Sequence, residues 1–190
     1  MVFSIPEGLA PETYPMAWIV GSWKGAGILE YEGIEASACL HELTVDNDDG
    51  GPYLRIESQV WLAREEAGAV DREEPGLSAY SRLTKDSLWT RSSGFVRAAP
   101  GAEKHDGATV LEAVSANPAG HAITWAGLID GPRLQFAADA IAAVPTAAAF
   151  EGAKIVAGLV QSDLFYAYDI AAFGHEMRTY IAGRLSRDEG

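Results

Sequence analysis

The sequence predicts an all-β chain, a single closed antiparallel barrel of about ten strands with one or two short helical turns. Three observations carry this. Nearly every segment alternates apolar and polar residues with period two, in short runs punctuated by Gly, Pro, Asn or Asp. The connections between runs are too short for crossover helices, so neighbouring strands must be antiparallel. Helix-compatible stretches are scarce, and closure is the arrangement that leaves no exposed strand edge.

Taken in order, "GLAPETYPMAWIVG" predicts a turn or two of helix before the first strand. "VGSWKGAG" opens that strand and carries Gly21-x-Trp23-x-Gly25-x-Gly27, a GXWXGXG pattern. Trp23 supplies a large apolar plug whose indole N–H needs a partner. The glycines permit the bend and close strand approach of a strongly coiled barrel. "DNDDGG" at 46–51 lacks the downstream ligands of a calcium loop and reads as a hairpin turn. "PYLRIESQVWLA" then alternates Leu54, Ile56, Ser58, Val60 and Leu62 against Tyr53, Arg55, Glu57, Gln59 and Trp61.

The segment "REEAGAVDREEPGLSAYSRLTKD", residues 64–86, breaks the pattern. It is charged and without clean period, so it is expected to be a long mobile loop inserted between strands, with at most one helical turn. "HAITWAGLI", "RLQFAADAI", "AKIVAGLVQ" and "LFYAYDIAAF" follow as strands, split by "DGP", "PTAAAFEG" and "SD". "PTAAAFEGA" is a second short helical candidate. The last strand lies in "GHEMRTYIAGRL", and the barrel is expected to span about residues 18–187 with Trp23 buried at one end.

At 190 residues, 48% hydrophobic and 22% charged, the chain suits one domain, 1–190, with a real core. A net charge of −13 argues against nucleic acid and against anionic membrane surfaces as partners, and leaves a homodimer open. Cys39 is the sole cysteine, which excludes an intrachain disulfide and a cysteine-based zinc cage. "MVFSIPEGLAPETYP" has neither a basic n-region nor an apolar h-region, and no run of 18 apolar residues occurs, so a cytoplasmic location is expected. There is no Gly-x-Ser-x-Gly, no phosphate loop and no paired-histidine motif, so no catalytic residues are assigned.

"GSWKGAGILEYEGI" resembles the opening of the nitrobindins, bacterial β-barrels related in architecture to the fatty-acid-binding proteins and lipocalins of the calycin group. The resemblance continues through "LWTRSSGFVR", "VLEAVSANPAGHAITWAGLI" and "FYAYDIAAFGHEMRTYIAGRL", and the misfit is the insert at 64–86. It implies a ten-stranded barrel with an interior pocket near one end, where nitrobindins hold a b-type haem through a histidine on the last strand. Matching "GHEMRTYIAGRL" to that strand puts Tyr180 in the histidine's place. The chain is therefore expected to lack the family's iron ligand, and with it the peroxynitrite isomerase activity of haem-bearing relatives.

Two functions compete on these residues. Arg178-Thr179-Tyr180 resembles the Arg-x-Tyr pair with which fatty-acid-binding proteins grip a ligand carboxylate. Even spacing puts Arg178, Tyr180 and Arg184 on one strand face, where guanidinium forks and a phenol suit an anionic head group. Arg133, Arg97, Arg91 and Arg55 are the other strand arginines, and parity does not choose among them. The expected ligand-binding set is Arg178, Tyr180, Arg184 and Arg133, holding a small amphipathic carboxylate such as a fatty acid with no cofactor or metal. In the opposite register these groups face solvent while Met177, Ile181 and Leu185 face the core. The alternative function is ferric haem b ligated by Tyr180 or His175, with nitric oxide or peroxynitrite-related chemistry. Tyrosinate is a haem ligand type that needs positive neighbours to lower its pKa. His175, an odd five residues before Tyr180, reaches the same pocket only from a bulge or the preceding turn. His41, His105 and His121 read as structural or solvated histidines.

Overall fold

In the computed structural model, which describes residues 7–47 and 50–189, the alternating runs become ten antiparallel strands. They are β1 (Gly21–Tyr31), β2 (Ile34–Asp46), β3 (Leu54–Glu66), β4 (Lys85–Ala98) and β5 (Thr109–Ala116). The second half supplies β6 (His121–Asp130), β7 (Arg133–Ala143), β8 (Phe150–Val160), β9 (Asp163–Ala172) and β10 (Arg178–Asp188). Each strand pairs with its neighbours in sequence, and β1 pairs with β10 to close the barrel. Asp48 and Asp49 of the "DNDDGG" turn lie outside the described residues. Beside them, Gly50 adopts φ +81°, a region glycine enters without strain, and donates its N–H to Asn47 O at 2.8 Å.

One end of the barrel is sealed. A 3₁₀ helix, Pro11–Ile19, lies across it and buries Met16, Ala17 and Trp18 against Trp23, Val45 and Leu54. Leu111 of β5, Leu164 of β9 and Leu185 of β10 complete this layer. Trp23 is only 1% exposed, and its indole N–H donates to Ile19 O at 2.8 Å, whereas the neighbouring Trp18 Nε1 is enclosed without a partner among the described residues. The Arg187 guanidinium lies 4.4 Å over the Trp23 ring and donates to the Trp18 and Val20 carbonyls. The motif glycines bring β1 and β10 together. A Cβ on Gly25 would stand 1.9 Å from Arg184 O, and one on Gly27 2.4 Å from Ala182 O.

Residues 64–86 are not the expected long loop. They comprise the end of β3, a 3₁₀ turn at Ala67–Ala69, a helix α1 (Gly76–Arg82) and the start of β4. The helix packs on the outer wall, where Ala79 and Leu83 bury against Ala26 and Leu40. Gly76 lies against the β10 backbone, and the Leu77 N–H donates to Ser186 Oγ at 3.1 Å. A polar clasp backs this up: Glu42 accepts from Lys85 Nζ at 2.6 Å, from Trp61 Nε1 at 3.2 Å and from the Tyr80 hydroxyl. Burial alone would raise the Glu42 carboxyl, but these hydrogen bonds outweigh it and hold its pKa below the ordinary value. The apolar side of a seven-residue helix is too short to show periodicity, so the charges around it dominate the sequence.

The second helical candidate, "PTAAAFEGA", is not helical. Residues 144–149 form a turn in which the Ala147 N–H donates to Val144 O at 3.0 Å, and β8 starts at Phe150, paired with Ala172. A stretch this short cannot nucleate a helix against that pairing. Among the described residues, no helix is long and apolar enough to cross a membrane.

Candidate functional site

Above the sealed layer the interior opens into a cavity of about 240 Å³, floored by Val45, Leu164 and Leu185 and bordered on its solvent side by the exposed Phe95 and Val114. Val60, Ile123, Trp125, Phe136, Ile155 and Tyr168 make its wall mainly apolar. Alternation explains the lining: each of these residues belongs to the inward set of its strand. The volume lies just below the ~300–1,000 Å³ typical of small-molecule pockets, so a ligand of ordinary size would extend out of it.

His41 stands in this wall at 7% exposure. Its inward direction follows from the β2 alternation Cys39, His41, Leu43, Val45, a signal present in "ACLHELTV". Nε2 lies 2.8 Å from Ser58 Oγ, and the ring meets Tyr166 edge-on at 4.9 Å. His41 Nδ1 and the Tyr166 hydroxyl are both enclosed and without a hydrogen-bond partner. Burial lowers the His41 pKa to about 4, so the imidazole is neutral at pH 7. Burial raises the Tyr166 phenol well above its usual value.

At the open end, Trp89 of β4 and Tyr180 of β10 meet across the lumen, the indole N–H donating to the phenol oxygen. β4 stands four strands away from β10 around the wall, so this bond spans the mouth. Two bulges produce it. The β9–β10 register shifts between Thr179 and Ile181, leaving Tyr180 as the extra residue, and the β3–β4 register skips Trp89 in the same way. Tyr180 packs at 6.1 Å from both the Tyr31 and Tyr168 rings. Burial raises its pKa, while the Trp89 hydrogen bond acts to lower it.

The bulge corrects the even-spacing argument. Ile181 and Leu185 line the interior, and Tyr180 joins them only because the extra residue turns it inward. Arg184 keeps the outer parity: it donates to Asp163 Oδ2 at 2.6 Å and to Glu73 O at 2.7 Å, under the insert. Arg178 is exposed at the rim, where it pairs with Glu32. Arg133 is exposed at the turn between β6 and β7, toward the sealed end. The expected four-residue grip is therefore not assembled, and of its members only Tyr180 reaches the mouth. Arg55 pairs with Asp46 and Arg97 with Glu112. Arg91 is exposed and stands opposite Gln59, on the outward parity of β4, yet it borders the cavity at its solvent side. His175 is exposed in the turn before β10, its ring 6.3 Å from Tyr31, and His105 is exposed as well. His121 is buried, with Nε2 3.0 Å from Ala148 O.

The protein-family model described as "THAP4-like, heme-binding beta-barrel domain" matches residues 12–187. The chain is 38% identical to a "Ferric nitrobindin-like protein" of Beutenbergia cavernae, across 98% of this chain and 99% of the relative. It is 29% identical to a "Peroxynitrite isomerase" of Nocardioides sp., with 98% and 99% covered. Among solved structures, Rv2717c from M. tuberculosis superposes with a TM-score of 0.72 at 21% identity over 95% of this chain and 99% of that one, which shows a shared fold. The expectation that no cofactor is bound is overturned by the family match, because the family is a heme-binding one. Replacing one iron ligand does not end haem binding, because a porphyrin is held by its apolar surroundings as well as through its iron. With the match spanning nearly the whole barrel, this chain belongs to the THAP4-like, heme-binding β-barrel family.

Proposed function

We propose that the barrel binds haem, its flat apolar body lodged in the cavity and its polar edge at the opening. The observation that carries this is an apolar, aromatic-lined cavity, partly open to solvent, in a barrel sealed at one end, in a heme-binding family. Trp125, Phe136 and Tyr168 offer π-faces for a macrocycle, and Ile123 and Ile155 fill between them. The resemblance puts Tyr180 at the family histidine's position, so the iron donors within reach of the mouth are the Tyr180 phenol and the His175 imidazole. Tyr180 keeps its proton in the present arrangement, because burial raises its pKa and Arg178 is turned away onto Glu32. Bound haem would supply the iron for the peroxynitrite chemistry that the relatives' names record.

The same cavity suits a second ligand of like polarity, an amphipathic carboxylate such as a fatty acid. The observation favouring it is Arg91, an arginine at the cavity border with no acidic partner among the described residues. A haemin titration followed at the Soret band tests the first reading. A saturable one-to-one shift is expected, abolished in Ala113→Trp, which fills the cavity, provided thermal unfolding shows the variant folded. Absence of any shift in the wild-type protein would overturn haem binding. Displacement of a fluorescent fatty acid by the same titration would place both ligands in one cavity.

A further inference from the structure

We infer that the gap between β4 and β5 is a lateral opening of this cavity and receives the carboxylate end of the ligand, with Arg91 as its cation. The inference rests on the cavity reading above. β5 has eight residues against fourteen in β4, and their pairing begins only at Ser93 with Ala116. From residue 85 to 92, β4 is therefore paired with β3 on one side and with no part of β5 on the other. In an antiparallel ladder, alternate N–H and C=O groups point away from a given neighbour, so this stretch turns unpaired main-chain groups into the gap.

The gap coincides with the cavity wall, since Thr90, Arg91, Ser92, Ser93, Ala116 and Asn117 all line it. Thr90 and Ser92 stand opposite Val60 and Ser58, which also line the cavity. Their hydroxyls and the Arg91 guanidinium have no partner among the described residues. Arg91 is also the one Lys or Arg among the described residues that line the cavity. In a chain of net charge −13, a carboxylate needs such a local cation, and a free guanidinium beside open N–H and O–H donors supplies it. The cavity interior offers no such partner, because His41 and Tyr166 stay uncharged there. An amphipathic ligand thus lies with its apolar body inward and its acid groups at the gap.

Metal-free protoporphyrin IX and its dimethyl ester separate carboxylate recognition from iron ligation, and both are followed by fluorescence titration. Arg91→Leu is expected to weaken the diacid about tenfold and the diester less than about twofold. Arg133→Leu, at the sealed end, should leave both unchanged. In the wild-type protein, amide shifts on adding the diacid should concentrate at residues 87–93 and 116–117. Equal losses for acid and ester would mean that Arg91 only packs, and shifts confined to Tyr31 and Tyr180 would mean that the acid leaves through the mouth. Either result would overturn the lateral site while leaving cavity binding intact. If neither porphyrin binds the wild-type protein, the cavity reading itself is wrong.

Discussion

The two ends of this barrel are built by the same ten strands and differ in what their inward positions hold. At the sealed end these positions are Trp23, Val45, Leu54, Leu111, Leu164 and Leu185, packed under a 3₁₀ helix, with the Trp23 indole satisfied and the Trp18 Nε1 of that helix as the one enclosed polar atom of the layer without a partner among the described residues. At the open end they are His41, Ser58, Tyr166, Tyr168 and Tyr180, with enclosed polar atoms left unpaired, two bulges and a strand running past its neighbour. Unpaired buried polar groups destabilise, by about 1–3 kcal/mol each, so the open end is tolerated because the sealed end holds the fold. The contrast teaches where stability and ligand chemistry are divided along one axis.

The comparison breaks most readily at Trp23. Trp23→Ala should cost about 3–5 kcal/mol in urea unfolding, since a fully packed indole leaves a cavity that the 3₁₀ helix cannot fill. A loss under about 1 kcal/mol would show that the sealed end does not carry the stability.

His41 probes the open end through pH. Burial lowers its folded pKa to about 4 from the ordinary 6.5, so between those values the unfolded chain binds a proton that the folded chain refuses. Stability is expected to fall as pH drops from about 6.5 to about 4, by at most about 3 kcal/mol from this group, and this contribution levels off below. Denaturant midpoints across that range should show a flatter slope for His41→Gln. Identical slopes would assign the acid sensitivity to the carboxylates.

The smallest effect on stability belongs to the bridge across the mouth. Trp89→Phe and Tyr180→Phe each remove the hydrogen bond and keep a ring, and each should change stability by less than about 1.5 kcal/mol. A double-mutant cycle should show the two losses to be non-additive, as expected for groups sharing one bond. Strict additivity would mean that they do not interact in solution.

Much of the fold was legible because its signals are local. Alternation within "PYLRIESQVWLA" or "HAITWAGLI" and short turns between runs define antiparallel strands without reference to distant residues. The glycines around Trp23 announced close strand approach, which the β1–β10 contacts display. His41 was legible too, through the parity of its strand, although its type argued for a bland role. The insert was not, because the partners of Ala79 and Leu83 are Ala26 and Leu40, some forty or more residues away.

By itself, then, the sequence determined the strand count, the order of pairing and the burial of Trp23, since each follows from the period and punctuation of a short segment. Tertiary structure alone decided which of the basic and phenolic groups meet the cavity. Arg178, Tyr180 and Arg184 share a parity on paper, yet one bulge at Tyr180 separates them. Arg91 borders the cavity because β5 stops before it can cover β4. A bulge or a strand end is set by the balance of packing and hydrogen bonding across several strands at once, and no window of one strand contains that balance.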